Sequence, residues 1–164
     1  MYNLEYGEPV TNIDEYIDVM NLAHNIKDKA DISDILVLPK KFTDEKYYYA
    51  QETIDFVKFC REQDDKHQIG ILDNEDVMVR SLHSADIWLP VIWISENILL
   101  PLVIGLITSY IYDKTKGRGK EPTTVDVTIQ INDKKKGINK SIHYNGDATT
   151  FKDTFDKIDI NKLK

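Results

Sequence analysis

The sequence predicts an α/β fold: a small parallel sheet with crossover helices, followed by an apolar helix and a C-terminal ββα unit. Three short apolar runs are typical of buried strands, at residues 34–39, 69–72 and 86–94. The segments between them are long enough for helices, which favours right-handed crossovers between parallel strands. Near the C terminus, two stretches alternate apolar and polar residues with period two, which predicts strands with one buried face.

The first two helices are predicted from apolar residues at helical spacing. Thr11 to Asp14 resembles a capping box, and the apolar positions that follow predict a helix from Asn12 to Lys29. Thr43 can cap a second helix, whose apolar face would hold Tyr47, Ala50, Ile54, Val57 and Cys60. A short third helix is expected to begin at Asp73 or Asn74 and end at His83.

The ββα unit follows from the alternating pattern. One strand carries Val125, Val127, Ile129 and Ile131, and the next carries Ile138, Lys140, Ile142 and Tyr144. A loop at residues 133–137 joins them, Asn145-Gly146 is expected to turn, and Asp147 to cap a helix with the apolar face Phe151, Phe155 and Ile158. We therefore divide the chain into an α/β body (1–112), a basic linker (113–123) and a ββα appendage (124–164).

Charge is uneven along the chain. Of 21 basic and 28 acidic side chains, residues 1–112 hold 9 and 20, so that part is acidic and residues 113–164 are basic. Three of the basic residues are arginine, the residue that base-edge recognition favours, which argues against a sequence-specific nucleic-acid reader. The first residues lack the pattern of a secretory signal, and the one cysteine, Cys60, suits a reducing compartment, so we expect a cytoplasmic protein.

Residues 97–112 carry no charge and are the most informative segment. One interpretation is a membrane span near residues 87–112, with inner-membrane association, because tryptophans and tyrosines flank it and the basic patch Lys114, Lys116, Arg118 and Lys120 follows it. A second is a helix buried inside the domain. A third is a helix covered by another protein chain, either a larger effector subunit or further copies of this chain, because a small body cannot enclose a helix that is apolar on every side.

The third interpretation predicts an interface. Its residues are the large apolar side chains of the segment, together with Gly105 and Ser109, whose spacing allows a neighbouring helix to approach closely. The predicted set is Trp88, Trp93, Leu99, Leu102, Val103, Gly105, Leu106, Ser109 and Tyr110.

Catalytic motifs are missing from the sequence. The nucleotide-binding, hydrolase and metalloprotease signatures do not occur, and the four histidines are scattered singly. Asp73, Glu75 and Asp76 follow a predicted strand where α/β sheets place ligands, but helix N-termini also collect acidic residues. We therefore predict no cofactor, no metal and a non-catalytic protein.

Two resemblances to known families add expectations. Residues 79–96, the stretch Val79-Arg80-Ser81 through Ile94-Ser95-Glu96, resemble the helix, apolar strand and polar turn of TIR-type domains, which implies a nucleotide-processing role with Glu96 as the acidic group acting on NAD. Residues 79–158, with Tyr110-Ile111-Tyr112-Asp113-Lys114 and Ile142-His143-Tyr144-Asn145-Gly146-Asp147, are similar to small accessory proteins of bacterial anti-phage systems. That resemblance implies a small subunit working beside an effector.

Overall fold

The computed structural model describes residues 3–7, 34–41, 47–71, 78–80, 87–117, 122–133 and 135–157. The strands among them are β1 (Asn3–Gly7), β2 (Ile35–Leu38), β3 (Lys40–Lys41), β4 (Tyr47–Ala50), β5 (Ile69–Ile71), β6 (Met78–Arg80), β7 (Ile87–Ile94), β8 (Thr124–Asp133) and β9 (Ile138–Asp147). The helices are α1 (Thr53–Gln63), α2 (Leu100–Thr115) and α3 (Phe151–Asp156). Single 3-10 turns, Asn97–Leu99 and Ala148–Thr150, precede α2 and α3.

Six strands form one mixed sheet in the order β1-β9-β8-β7-β2-β5, and β3, β4 and β6 form a second, smaller sheet. The pairs β7–β8 and β2–β5 are parallel, whereas β1–β9, β8–β9 and β2–β7 are antiparallel. The α/β class, the apolar helix and the C-terminal ββα unit are thus confirmed, with a sheet that is parallel only in part. Each parallel pair is joined by a connection that contains a helix, α1 for β2–β5 and α2 for β7–β8.

Several local predictions were wrong. Residues 47–50 form β4 instead of the start of a helix, because three consecutive tyrosines favour an extended strand over the helical spacing they also satisfy. Residues 78–80, expected in a short helix, form β6 beside β4. Asn145 and Gly146 lie within β9 and do not turn the chain. The predicted helix over 12–29, the Thr43 cap and the acidic residues 73–76 lie outside the described residues.

The predicted membrane span does not match the structure of residues 87–112. Residues 87–94 are a strand inside the larger sheet, and the helix that follows covers 16 residues. Within the described ranges, no helix has the length and hydrophobicity needed to cross a bilayer.

One hydrophobic core lies between the larger sheet and the helices. It takes alternate residues from β2, β7, β8 and β9 and the inner faces of α1, α2 and α3. Strand β7 breaks the alternation at a bulge next to Pro90, which lacks an N–H for the ladder, so that Leu89 and Ile92 both face the helices. Leu36, Trp88 and Trp93 lie on the opposite face and are buried as well.

The ββα unit extends this same sheet. Strand β8 pairs along β7, and Val125, Val127, Ile129 and Ile131 are fully buried in the common core. Asp133 turns the chain into β9 by accepting hydrogen bonds from the Lys135 and Lys136 amides, and Gly137 supplies the positive φ there. As predicted, Asp147 caps the following turn, by accepting from the Thr149 amide at 2.8 Å. The residues before and after the segment 113–123 therefore share one sheet and one hydrophobic core.

A polar contact within the core fastens α2 to α1. The Tyr110 hydroxyl donates to Glu52 Oε2, while its ring packs edge-on against Phe56 and Phe59 at 5.3 and 5.5 Å. Burial, and then the hydrogen bond to Glu52 and the negative charges nearby, raise the pKa of Tyr110 above its ordinary value of 10.0. The contact between α1 and α2 therefore requires the protonated phenol of Tyr110.

Alkaline pH should weaken the fold through Tyr110. Above pH 10 the phenol ionises in the unfolded chain but stays protonated in the folded one, so the free energy of unfolding falls as pH rises. Tyr110→Phe removes the hydrogen bond to Glu52 and should lower the free energy of unfolding at pH 8 by about 1.5–3 kcal/mol. Above pH 10 the natural chain loses stability through Tyr110 and the variant does not. The difference in free energy of unfolding between them should therefore shrink by about 1.4 kcal/mol per pH unit. Urea unfolding at a series of pH values measures both effects.

The matched control is Tyr112→Phe, since the Tyr112 side chain is 71% exposed two residues further along the same helix. It should change neither the stability at pH 8 nor its pH dependence. A Tyr110→Phe difference that stays constant from pH 8 to about pH 11 would contradict a raised pKa for Tyr110.

Candidate protein-binding surface

The structure places most of the predicted interface inside the chain's own fold. Trp88, Trp93, Leu99, Val103, Leu106 and Tyr110 are all at most 7% exposed. These six residues are covered within the chain's own fold, so in this structure they offer no surface to a partner. Leu102 is partly buried, and only Gly105 and Ser109 of the set are exposed.

Gly105 and Ser109 belong to a row of exposed residues on α2 and the turn before it, which we call the α2 surface: Ile98, Pro101, Gly105, Ser109 and Tyr112. Steps of three and four residues keep the row on one side of a helix. Ile98 and Tyr112, at its two ends, are 72% and 71% exposed. Sequence reasoning did not assign Ile98, Pro101 and Tyr112 to the interface, although their spacing from Gly105 was available as a signal.

A groove runs beside the α2 surface, between α2 and α3. It has a volume of about 230 Å³ and is lined by Leu100, Pro101, Ile104, Gly105, Thr108, Lys152, Phe155 and Asp156. The floor is apolar, while Lys152 and Asp156 add one charge of each sign from α3. Because cavities of about 150 Å³ accept a benzene ring, the groove has room for an aromatic side chain.

The glycine at the middle of the row is open to its surroundings. A Cβ atom built on Gly105 meets no atom within 4 Å. The absence of a side chain is therefore not required by packing within this chain. A small residue there gives another backbone close access to the helix.

The described half of the predicted basic patch is paired within the chain. Lys114 Nζ lies 3.3 Å from Asp55 and 3.8 Å from Glu52, and over the Tyr110 ring at 5.4 Å. Lys116 Nζ lies 3.0 Å from Asp113 and remains 61% exposed. Arg118 and Lys120 lie outside the described residues. Lys114 thus serves the contact between α1 and α2, and only Lys116 is presented beside the α2 surface.

Glu96, the acidic group implied by the resemblance to TIR-type domains, follows β7 directly. Its side chain is 46% exposed, and Oε1 lies 3.7 Å from Lys135 Nζ. Its carbonyl accepts the Leu99 amide at the start of the turn into α2. The described contacts of Glu96 are those of a surface residue at the N-terminal end of the α2 segment.

Polar side chains cluster on the face of the larger sheet opposite the helices. His143 Nε2 lies 3.2 Å from both carboxylate oxygens of Asp126, and Asn145 Nδ2 donates to Asp126 at 3.0 Å. A carboxylate can orient a histidine for acid–base chemistry, but it also stabilises a cross-strand pair. In the part of the chain that the structure describes, no three His, Cys, Asp or Glu residues come together as a metal site would need.

Comparison of the chain with models of known protein families, with curated proteins and with solved structures gives no significant match. The α2 surface and the groove beside it are therefore interpreted from their own geometry.

Gly105→Ala should stabilise the isolated chain. The added methyl group has open space, and alanine is favoured over glycine in a helix interior by about 1 kcal/mol. The midpoint of urea unfolding should rise accordingly. Gly137→Ala is the contrast, since φ at Gly137 is +66° and a side chain there is strained by about 1–2 kcal/mol. Loss of stability in Gly105→Ala would mean that the space around Gly105 is filled.

Proposed function

We propose that this chain is a non-catalytic accessory subunit that binds another protein chain through the α2 surface. The observation that carries the proposal is the exposed apolar row on a helix whose other sides belong to the core. Large apolar side chains are exposed at three places in the described residues, Ile54, Ile98 and Tyr112, and two of them stand at the ends of this row. Contiguous exposed apolar residues next to an apolar groove are typical of protein-binding sites.

The chemistry of the surface also favours a protein partner. Its centre is uncharged, its ends hold large apolar groups, and charged side chains lie at its margins: Glu96, Asp113, Lys116, Lys152 and Asp156. An apolar centre with a polar rim is the usual anatomy of a protein interface. A phosphate-binding surface would need several unpaired cations instead, and the described lysines near α2 include two that are paired with carboxylates.

The biological setting we propose is a bacterial anti-phage system, with the chain in the cytoplasm beside a larger effector. This part rests on the resemblance of residues 79–158 to small accessory proteins of such systems. The alternative of a TIR-like enzyme depends on Glu96. Consumption of NAD by the purified chain that is abolished by Glu96→Gln would overturn the non-catalytic assignment.

Site-specific photo-crosslinking in cells that naturally make the chain tests the proposal. A photoreactive amino acid at Ser109, which is exposed on the α2 surface, should give a discrete adduct with a protein chain. The same amino acid at Gln63, exposed on α1, is the matched control and should not give that adduct.

The second arm of this experiment adds Gly105→Arg to the Ser109 probe. Because Gly105 faces open space, the arginine should preserve the circular dichroism spectrum and should not lower the free energy of unfolding, which helix propensity favours raising by up to about 1 kcal/mol, as for Gly105→Ala. The adduct should disappear, since a long charged side chain would separate the two surfaces. An adduct that persists with Gly105→Arg, or that forms equally from position 63, would contradict docking through the α2 surface.

A further inference from the structure

We propose that Arg61 protects the edge of the larger sheet at β5: its guanidinium group occupies the Ile69 carbonyl and so prevents a strand of another chain from pairing there. This inference goes beyond the proposed function and does not involve the α2 surface. Three observations carry it: the position of β5 in the sheet, two hydrogen bonds from Arg61 and the apolar sequence of the strand.

Strand β5 lies at one end of the larger sheet, where β2 is its one partner among the described strands. The Ile35 amide of β2 donates to the Gln68 carbonyl at 3.1 Å. Because successive backbone carbonyls of a strand point to opposite sides, the Ile69 carbonyl points away from β2, toward the outer edge of the sheet. A strand added at this edge would need that carbonyl as a hydrogen-bond acceptor.

Arg61, in the last turn of α1, occupies this acceptor. Its Nε and Nη2 atoms donate to the Ile69 carbonyl oxygen at 3.1 and 2.9 Å. A carbonyl oxygen has two lone pairs, so the two donors of one guanidinium group can use both. The backbone of an added strand would lie about 4.8 Å from β5, in space that the guanidinium group takes up. Arg61 must therefore move away before another strand can pair at Ile69.

The sequence around β5 explains why this edge needs protection. No charged residue occurs from Gln68 to Leu72, and isoleucines at two of these positions favour an extended chain. An uncharged segment of high β propensity at a sheet edge is a template for pairing between chains. Arg61 is exposed, so it also keeps a positive charge beside this edge, and like charges oppose the approach of an identical edge.

The same hydrogen bonds also fasten the end of α1 to β5, so the test must separate edge protection from stability. Arg61→Met keeps an unbranched side chain but removes the charge and both donors. The matched control is Asp64→Ala. Asp64 Oδ1 accepts from the Lys66 and His67 amides at 2.8 and 3.1 Å. Its loss loosens the same connection between α1 and β5 and leaves the Ile69 carbonyl bound to Arg61.

Both variants should lower the urea midpoint, but only Arg61→Met should associate. In sedimentation velocity without urea, at about 100 µM, Arg61→Met should form dimers and larger species, whereas Asp64→Ala should sediment like the natural chain. The Ile69 and Ile71 amides also point away from β2 and would pair with the added strand. In the associated variant their hydrogen exchange should therefore be slower than in the natural chain by about tenfold or more.

Arg61→Lys is a milder variant that decides the question if Arg61→Met does not fold. Lysine keeps the charge but replaces the rigid two-donor group by a single ammonium group on a flexible stem. It should sediment like the natural chain at low salt, because the charge still opposes association. At about 1 M NaCl, where screening shortens charge repulsion to about 3 Å, it should associate. The natural chain should not show this change with salt, since its guanidinium group stays on the Ile69 carbonyl.

Three results would overturn edge protection by Arg61. The first is association of Asp64→Ala to the same extent as Arg61→Met, which would make lost stability the cause. The second is a folded Arg61→Met, or an Arg61→Lys at high salt, that sediments like the natural chain. The third is an associated variant whose Ile69 and Ile71 amides exchange as fast as in the natural chain. None of these results bears on the α2 surface, so the proposed function is tested separately.

Discussion

The parallel pairing of β7 with β8 is the constraint on which the rest of the structure depends. Two parallel neighbours cannot be joined by a tight turn, so the chain must return along the whole length of β7 before β8 can begin. Helix α2 makes this return over the face of the sheet, and its 16 residues span about 24 Å. The return explains why an uncharged segment follows β7: the buried side of the helix belongs to the same hydrophobic core as Ile92, Val127 and Ile129, and the hydrogen bond from Tyr110 to Glu52 fixes the helix to α1.

The same arrangement determines which part of α2 remains available. Three sides of the helix contact the sheet, α1 and α3, and the fourth carries the α2 surface. A helix that served only as a crossover could carry charged residues on that side, as on the outer side of α1, where Asp55, Lys58 and Glu62 are exposed. On α2, the corresponding side instead carries Pro101, Gly105 and Ser109 between two large apolar groups. Although Asp113 is also exposed near the end of α2, this contrast between two helices of one fold supports the proposed binding role of α2.

The sequence predicted the elements whose pattern is local. Strands β2, β5, β7, β8 and β9 were recognised from apolar runs or period-two alternation, and the Asp147 cap from its position before an apolar helical face. Strand pairing could not be predicted in the same way, because the antiparallel partnership of β2 with β7 depends on residues about 55 positions apart. Tyr47 to Ala50 also fit a helical spacing, and the strand is selected by the β propensity of the three tyrosines together with pairing to β3 and β6.

The exposed residues of the proposed binding surface could be predicted only in part. Composition identified the segment from Asn97 to Tyr112, and Gly105 and Ser109 are exposed as a contact surface requires. Whether Val103 or Leu106 is covered by the chain's own sheet or by a partner depends on the orientation of the helix on the sheet, which an almost uniformly apolar sequence does not encode. The exposed row became recognisable only when the buried sides of the helix were known.

Native-state hydrogen exchange of β7, α2 and β8 tests the central claim most directly, namely that α2 is an integral part of the core and presents one side only. If the crossover is integral, the slowest amides of all three elements should exchange with one common free energy, close to that of global unfolding. If α2 opens at a clearly lower free energy while β7 and β8 stay protected, the helix is loosely docked. Its buried residues would then be available to a partner, which would contradict the assignment of α2 to the core.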